Sequence, residues 1–276
     1  MYKLIAIDMD GTLLNDRHEV PEDVKNVINE AKKQGIKIVL CSGRPIGGMR
    51  GYIEDLNLDE EGDFAIAYNG ALVQKTHSNE VVAELSLSHD DLVNLYEHSI
   101  ALNSPMHFFD VNGLYTPNAD ISKYTVLESY LNNIPLGYRK VSDVPQDTSI
   151  PKVMYIDQPD KLERTIQLLP VSLKEQYNIV RSSPYFLEFV HPSVSKGNAV
   201  RKLAELLNIK QEEVMCIGDN GNDLSMIQYA GCGVAMGNAI PEVKAVADFE
   251  TRTNNEGGVA YAIEKIALKQ LNDSYK

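Results

Sequence analysis

Residues 4–12 read LIAIDMDGT. Four apolar residues, Leu4 to Ile7, run straight into two carboxylates, Asp8 and Asp10, and the run breaks at Gly11 and Thr12. The apolar residues predict a short buried strand, and strand alternation points Asp8 and Asp10 to one side if the strand continues. Gly11 then lets the backbone turn away. Two ionised carboxylates this close repel, so one must be protonated or a cation must sit between them. One reading is a magnesium site with Asp8 as nucleophile and Asp10 as proton donor and acceptor. The plainer alternative is a solvated strand end with two incidental acids. An EF-hand loop also begins D-x-D, but here the glycine comes too early and the segment follows a strand instead of joining two helices.

Outward from this strand, apolar runs alternate with amphipathic ones. Val24, Val27, Ile28 and Ala31 recur at helical spacing, with Pro21 near the start and Gly35 at the stop. IKIVLCS (36–42) is the next strand, and residues 45–56 contain a helix. FAIAYNGALVQK (64–75) reads as a hairpin turning at Asn69-Gly70. β-α-β-α-β is the signature of a doubly wound, Rossmann-like parallel sheet. The pattern changes near Val81. VVAELSLS (81–88), helices over 90–102, 121–130 and 159–169, and strands near 107–110, 113–115, 153–156, 177–180 and 186–190 suggest an inserted α/β cap domain. Alternation then resumes, with helices over 196–207, 222–229, 241–246 and 258–268 and strands at 213–219 and 233–235. The expected division is core 1–80, cap 81–187 and core 188–276.

Bulk properties narrow the partners. The chain has 276 residues, 43% of them hydrophobic, and a formal net charge of -13. A broad electrostatic surface for nucleic acid is excluded on that balance, and an anionic ligand would need locally gathered positive charge. No apolar run is long enough to span a bilayer, and the chain enters a strand without a charged leader and apolar segment. The expectation is a soluble cytoplasmic protein without membrane or nucleic-acid partners. Cys41, Cys216 and Cys232 lack metal-site spacing and read as two buried thiols and a third in a turn.

Ligands of such sheets bind beyond the carboxyl ends of the strands, and three further polar clusters sit there or open a helix. Ser42-Gly43-Arg44 offers a hydroxyl and free backbone N–H groups that can hold phosphate oxygens, or is an ordinary polar turn. Lys196-Gly197 puts a lysine where the helix dipole disfavours it, which hints at an anion nearby, or is a solvent-facing lysine. In Gly218-Asp219-Asn220-Gly221-Asn222-Asp223, Asp219 can complete the ligand set of a hard cation, or the segment is an ordinary Asn/Gly turn with an N-cap. Asn222 opens the next helix, and Asp223 is a supporting partner or a helix-start acid.

DMDGT, SGR, KG and GDNGND, in this order, resemble the haloacid dehalogenase-like hydrolase superfamily. YNGALV before the insertion and LEF…VSKG after it resemble its Cof-type (IIB) phosphatases, and the chain as a whole resembles the YidA-type sugar phosphatases. The resemblance implies that Asp8 forms an aspartyl-phosphate and that Asp10 protonates the leaving alcohol and then activates water. It implies Mg²⁺ held by Asp8, the backbone carbonyl of Asp10, and Asp219. Ser42, Gly43, Lys196, Asn222 and the backbone of Met9 would hold the phosphoryl oxygens, with Arg44 left unassigned. The implied activity is hydrolysis of small phosphate esters, sugar phosphates foremost. A phosphosugar mutase and, from another class, a receiver-like phospho-aspartate signalling domain are the competing readings. No sequence feature fixes an oligomeric state.

Overall fold

The computed structural model describes residues 1–269. In chain order the elements are β1 (Leu4–Ile7), α1 (Glu22–Lys33), β2 (Lys37–Cys41), α2 (Ile46–Asp55), β3 (Phe64–Ala67), β4 (Leu72–Lys75), β5 (Val81–Glu84), α3 (His89–Ala101), β6 (Met106–Asp110), β7 (Gly113–Thr116), α4 (Lys123–Asn132), β8 (Leu136–Tyr138), β9 (Val153–Ile156), α5 (Pro159–Leu168), α6 (Val171–Gln176), β10 (Asn178–Ser183), β11 (Phe186–Val190), α7 (Lys196–Leu206), β12 (Val214–Gly218), α8 (Leu224–Tyr229), β13 (Cys232–Ala235), α9 (Pro241–Val246), β14 (Phe249–Glu250) and α10 (Gly258–Ala262). They form two units, one from Met1–Ala83 and residues 195–269, the other from Glu84–Val194.

The first unit holds an eight-stranded sheet of order β14-β13-β12-β1-β2-β3-β4-β5. From β14 to β3 the neighbours run parallel, and β4 returns antiparallel to β3. The strands β1, β3, β12 and β13 are buried along their whole length, as continuous apolar runs in a parallel sheet must be. Local signals agree with the sheet. α1 buries Val24, Val27, Ile28 and Ala31 and carries Glu22 and Asp23 in its first turn and Lys32 and Lys33 in its last, matching the helix dipole. α7 is capped by Ser195, whose hydroxyl accepts a hydrogen bond from the Asn198 N–H at 3.1 Å. Because β12, β1, β2 and β3 are adjacent and parallel, their carboxyl ends line one edge. The segments beginning at Asp219, Asp8, Ser42 and Tyr68 therefore leave the sheet side by side.

The second unit holds a six-stranded sheet of order β10-β11-β9-β6-β7-β8, mostly antiparallel. One face carries Phe108, Val153, Tyr155, Leu187 and Phe189, packed against Leu92 and Leu95 of α3, Leu162 of α5 and Leu173 of α6. The Tyr155 hydroxyl is satisfied by the Leu95 carbonyl at 2.6 Å. Alternation puts the neighbouring residues on the other face. There His107 meets the Thr125 hydroxyl of α4 at 3.1 Å. The buried Lys152 ammonium lies 3.3 Å from Glu188 and 4.0 Å from Glu128.

Several expectations shift. Val81–Glu84 completes the first unit's sheet as its edge strand instead of opening the insertion. The return to the first unit falls at Ser195 and not at 188, because β11 runs on to Val190 inside the second sheet. Cys232 starts β13 and is not in a turn, and all three cysteines are free and buried. The helix expected over 222–229 opens with a 3₁₀ turn, Gly221–Asp223. The β3–β4 connection is also a 3₁₀ turn, Tyr68–Gly70, in which Tyr68 (φ 52°), Asn69 (φ 57°) and Gly70 (φ 102°) are all left-handed. Two such non-glycine residues in a row cost roughly 1 kcal/mol or more each, and other contacts must hold them there. Among the described residues no helix is long and apolar enough to cross a membrane.

Burial pushes the Glu128 carboxyl above its ordinary range against the pull of Lys152, with Glu188 adding to the push. Lys152→Met leaves two buried carboxylates facing each other with no cation. It should destabilise the protein by about 3 kcal/mol in urea denaturation. The loss should be smaller at pH 5 than at pH 8, because the folded variant then gains protons that relieve the repulsion.

Candidate active site

The strand tips gather a set of carboxylates around one lysine. Asp8 follows β1 with its backbone N–H still on the Ile217 carbonyl at 3.0 Å, so the strand pairing carries it to the edge. Lys196 opens α7 and is fully buried. Its ammonium donates to Asp8 Oδ1 and, at 2.6 Å, to Asp223 Oδ1. Asp223 has no exposed surface either, and its other oxygen accepts the backbone N–H groups of Asp219 and Asn220 at 2.9 and 3.0 Å. Asp219 accepts the Thr12 hydroxyl at 3.1 Å. Gly11 is required here. Its φ is +84°, and a Cβ on it would lie 2.5 Å from Asp219 Oδ2.

The electrostatics follow from burial. Asp8 is pushed up to about 8, first by burial and then by the Asp223 carboxylate, against the pull of Lys196. Asp219 rises to about 6 for the same two reasons. Burial alone would lower the Lys196 ammonium, but Asp223 and Asp8 outweigh it and keep the lysine charged. Asp8, Asp219 and Asp223 each present an oxygen within 4.8 Å of the others. Three carboxylates against one ammonium leave a surplus of negative charge that a hard divalent cation would neutralise, and all the donors are oxygen. The residues therefore fit a magnesium ion. Asp223, already committed to Lys196 and two N–H groups, is the member best suited to orienting the others.

The Asp10 side chain does not join this set. Its carboxylate turns to Arg44, accepting from Nη2 at 2.5 Å and Nε at 2.9 Å, with His18 at 3.7 Å. A metal contact from Asp10 could therefore come from its carbonyl and not from its carboxylate. Met9 is buried, and its carbonyl accepts the Leu14 N–H at 2.9 Å, closing the turn after β1. Ser42 is buried at the tip of β2, and its hydroxyl oxygen accepts the Arg44 N–H at 3.2 Å. Gly43 lies against the Asn69 side chain. Asn222 is exposed and donates to Asn69 Oδ1 at 3.0 Å.

Direct bonds thus link Asp8, Lys196, Asp219 and Asp223. Asp10 is joined to the 42–44 loop through Arg44, and Asn222 to the same loop through Asn69. The sequence leaves Asp223 between two readings and gives Arg44 and Thr12 no role. Asp223 stands four residues after Asp219, a spacing that returns a side chain to its own turn. Arg44 and Thr12 carried no signal beyond membership of their motifs.

Comparison with known proteins bears on what this site does. A family model described as haloacid dehalogenase-like hydrolase matches residues 5–263. The Bacillus subtilis (strain 168) protein named "Putative phosphatase YxeH" is 63% identical over 268 residues, covering 97% of this chain and 99% of its own length. The 5-amino-6-(5-phospho-D-ribitylamino)uracil phosphatase YcsE of the same organism is 33% identical, covering 96% of each. A haloacid dehalogenase-like hydrolase from Bacteroides thetaiotaomicron has a solved structure that superposes with a TM-score of 0.86 at 36% identity, covering 96% of this chain and all of the other.

The raised carboxyls give a pH test. Folded Asp8 and Asp219 hold protons that the unfolded chain releases near its ordinary value of 3.8. Stability of the metal-free protein should therefore fall as pH rises from about 4 toward about 8. Saturating Mg²⁺ should remove that fall, so the gain in Tm on adding Mg²⁺ should be larger at pH 8 than at pH 5 in thermal scans run against EDTA.

Proposed function

The chain belongs to the haloacid dehalogenase-like hydrolase family, and from that membership we propose that it is a magnesium-dependent phosphatase of small phosphorylated metabolites, sugar phosphates foremost. The observation that carries this reading is the buried Lys196 ammonium bonded at once to Asp8 and Asp223, with Asp219 alongside.

A phosphomonoester dianion approaching the Asp8 carboxylate meets repulsion. Lys196 opposes that repulsion at the nucleophile itself and stabilises negative charge on the transferring group. When bound, Mg²⁺ would be held by Asp8, Asp219 and the Asp10 carbonyl, and would supply further charge stabilisation at the phosphoryl group. The Asp8 carboxylate attacks phosphorus, the bond from phosphorus to the leaving alcohol breaks, and Asp10 gives that oxygen a proton. Water then attacks the phosphorus of the acyl phosphate and Asp10 takes its proton. The bond to Asp8 breaks and inorganic phosphate leaves. Arg44 fixes the direction of the Asp10 carboxylate through Nε and Nη2. Ser42, Gly43, Asn222 and the backbone of Met9 are the proposed holders of the phosphoryl oxygens.

For the substrate, a relative named for a phosphate ester on a ribityl chain supports a phosphorylated polyol or sugar. Free, buried thiols suit a reducing compartment, in line with a cytoplasmic enzyme. A receiver-like switch has no use for an inserted unit as large as Glu84–Val194.

Asp8→Asn should abolish release of inorganic phosphate from p-nitrophenyl phosphate. Asp10→Asn should lower kcat by about 10²–10⁴ while leaving the Mg²⁺-dependent rise in Tm in place, since the carbonyl is retained. Normal turnover by the Asp8→Asn protein would remove the mechanism. Transfer of phosphate to a bound sugar, in place of its release, would indicate a mutase.

A further inference from the structure

The turn between β3 and β4 does more than reverse the chain. It is left-handed at Tyr68, Asn69 and Gly70. An ordinary hairpin would seat glycine at such positions, and here a tyrosine and an asparagine occupy two of the three. What keeps them there is contact with three separate segments of the site. The Tyr68 N–H donates to the Arg44 carbonyl at 3.1 Å, and the Asn69 N–H donates to the Ser42 carbonyl at 2.9 Å. The Asn69 side chain lies on Gly43, where a Cβ would come 3.0 Å from Nδ2, and its Oδ1 accepts from Asn222 Nδ2 at 3.0 Å. Gly70 faces the carbonyl of Ser195, the residue that caps the Lys196 helix, so closely that any Cβ on Gly70 would collide with it.

We infer that Asn69 is a positioning residue for phosphoryl binding: it fixes the Asn222 amide and the Ser42-Gly43 backbone relative to each other. The inference rests on the phosphatase reading above. Asn222 itself is exposed, in the middle of the 3₁₀ turn Gly221–Asp223. With Asn69 in place, the amide is held by a residue whose own backbone is bonded to the 42–44 loop. Phosphoryl oxygens would then be met by groups already at fixed spacing, and less freedom is lost on binding. A left-handed asparagine suits this better than glycine. It tolerates the backbone conformation and also supplies the amide.

The test uses Asn69→Gly, Asn222→Ala and the Asn69→Gly/Asn222→Ala double variant in the full chain with Mg²⁺. Asn69→Gly keeps the left-handed backbone and removes only the side chain. Its Tm should match wild type, while KM for p-nitrophenyl phosphate and Ki for inorganic phosphate rise about tenfold, the weight of one hydrogen bond. The double variant should lose clearly less than the product of the two single losses, because part of the Asn69 effect passes through Asn222. Wild-type constants in Asn69→Gly would overturn the inference, as would strictly additive losses in the double variant. Wild type and Asp8→Asn run alongside separate the two claims. If wild type releases no phosphate or Asp8→Asn keeps pace with it, the phosphatase reading falls and this inference falls with it. If those controls behave and Asn69→Gly matches wild type, the inference alone fails.

Discussion

A lysine ammonium with no exposed surface, held between two aspartates, is the constraint on which the rest of the first unit depends. A charge in that position is costly unless its partners are fixed, and fixing them dictates much of the fold. Asp8 must end β1, so β1 must lie in the middle of the sheet. Asp223 must turn back toward its own strand, so both of its neighbouring N–H groups are bent onto it. Lys196 must begin its helix, so Ser195 serves as the cap and Gly197 allows α7 to approach Ser225 of α8 too closely for any side chain. The glycines at 11 and 197 are consequences of that packing more than of flexibility.

Much of this was legible in the sequence. The apolar runs ending in acids gave the strand tips, and the helical spacing from Val24 to Ala31, between Pro21 and Gly35, gave α1. A lysine at a helix start, where the dipole is unfavourable, pointed to a negative partner, and the structure supplies two. The carboxylates at 8 and 10 were read as a pair, yet only Asp8 enters the cluster. Alternation predicts a common direction while the strand persists, but β1 stops at Ile7 and the turn after it sends Asp10 to Arg44.

The less legible parts share one cause, which is contact between residues far apart in the chain. Asp223 and Lys196 are separated by 27 positions, and Lys196 and Asp8 by 188. No local pattern encodes such a bond. The Asn69-Gly70 pair carries a strong local signal for a tight hairpin, and that signal described the turn while hiding its purpose. The insertion boundary was misplaced for a related reason. Val81–Glu84 is too short and too exposed to announce which sheet it joins, and only its pairing next to β4 decides that.

That same strand bears on how the molecule behaves in a crowd. An open sheet ends in two rows of unpaired backbone groups, which invite a strand from another chain. Here one margin is β14, two residues long, and the other is β5, four residues flanked by Glu80 and closed by Glu84. Neither margin offers a long apolar ladder. The sheet that concentrates the chemistry at its strand tips is thus guarded along its sides against fibrous association.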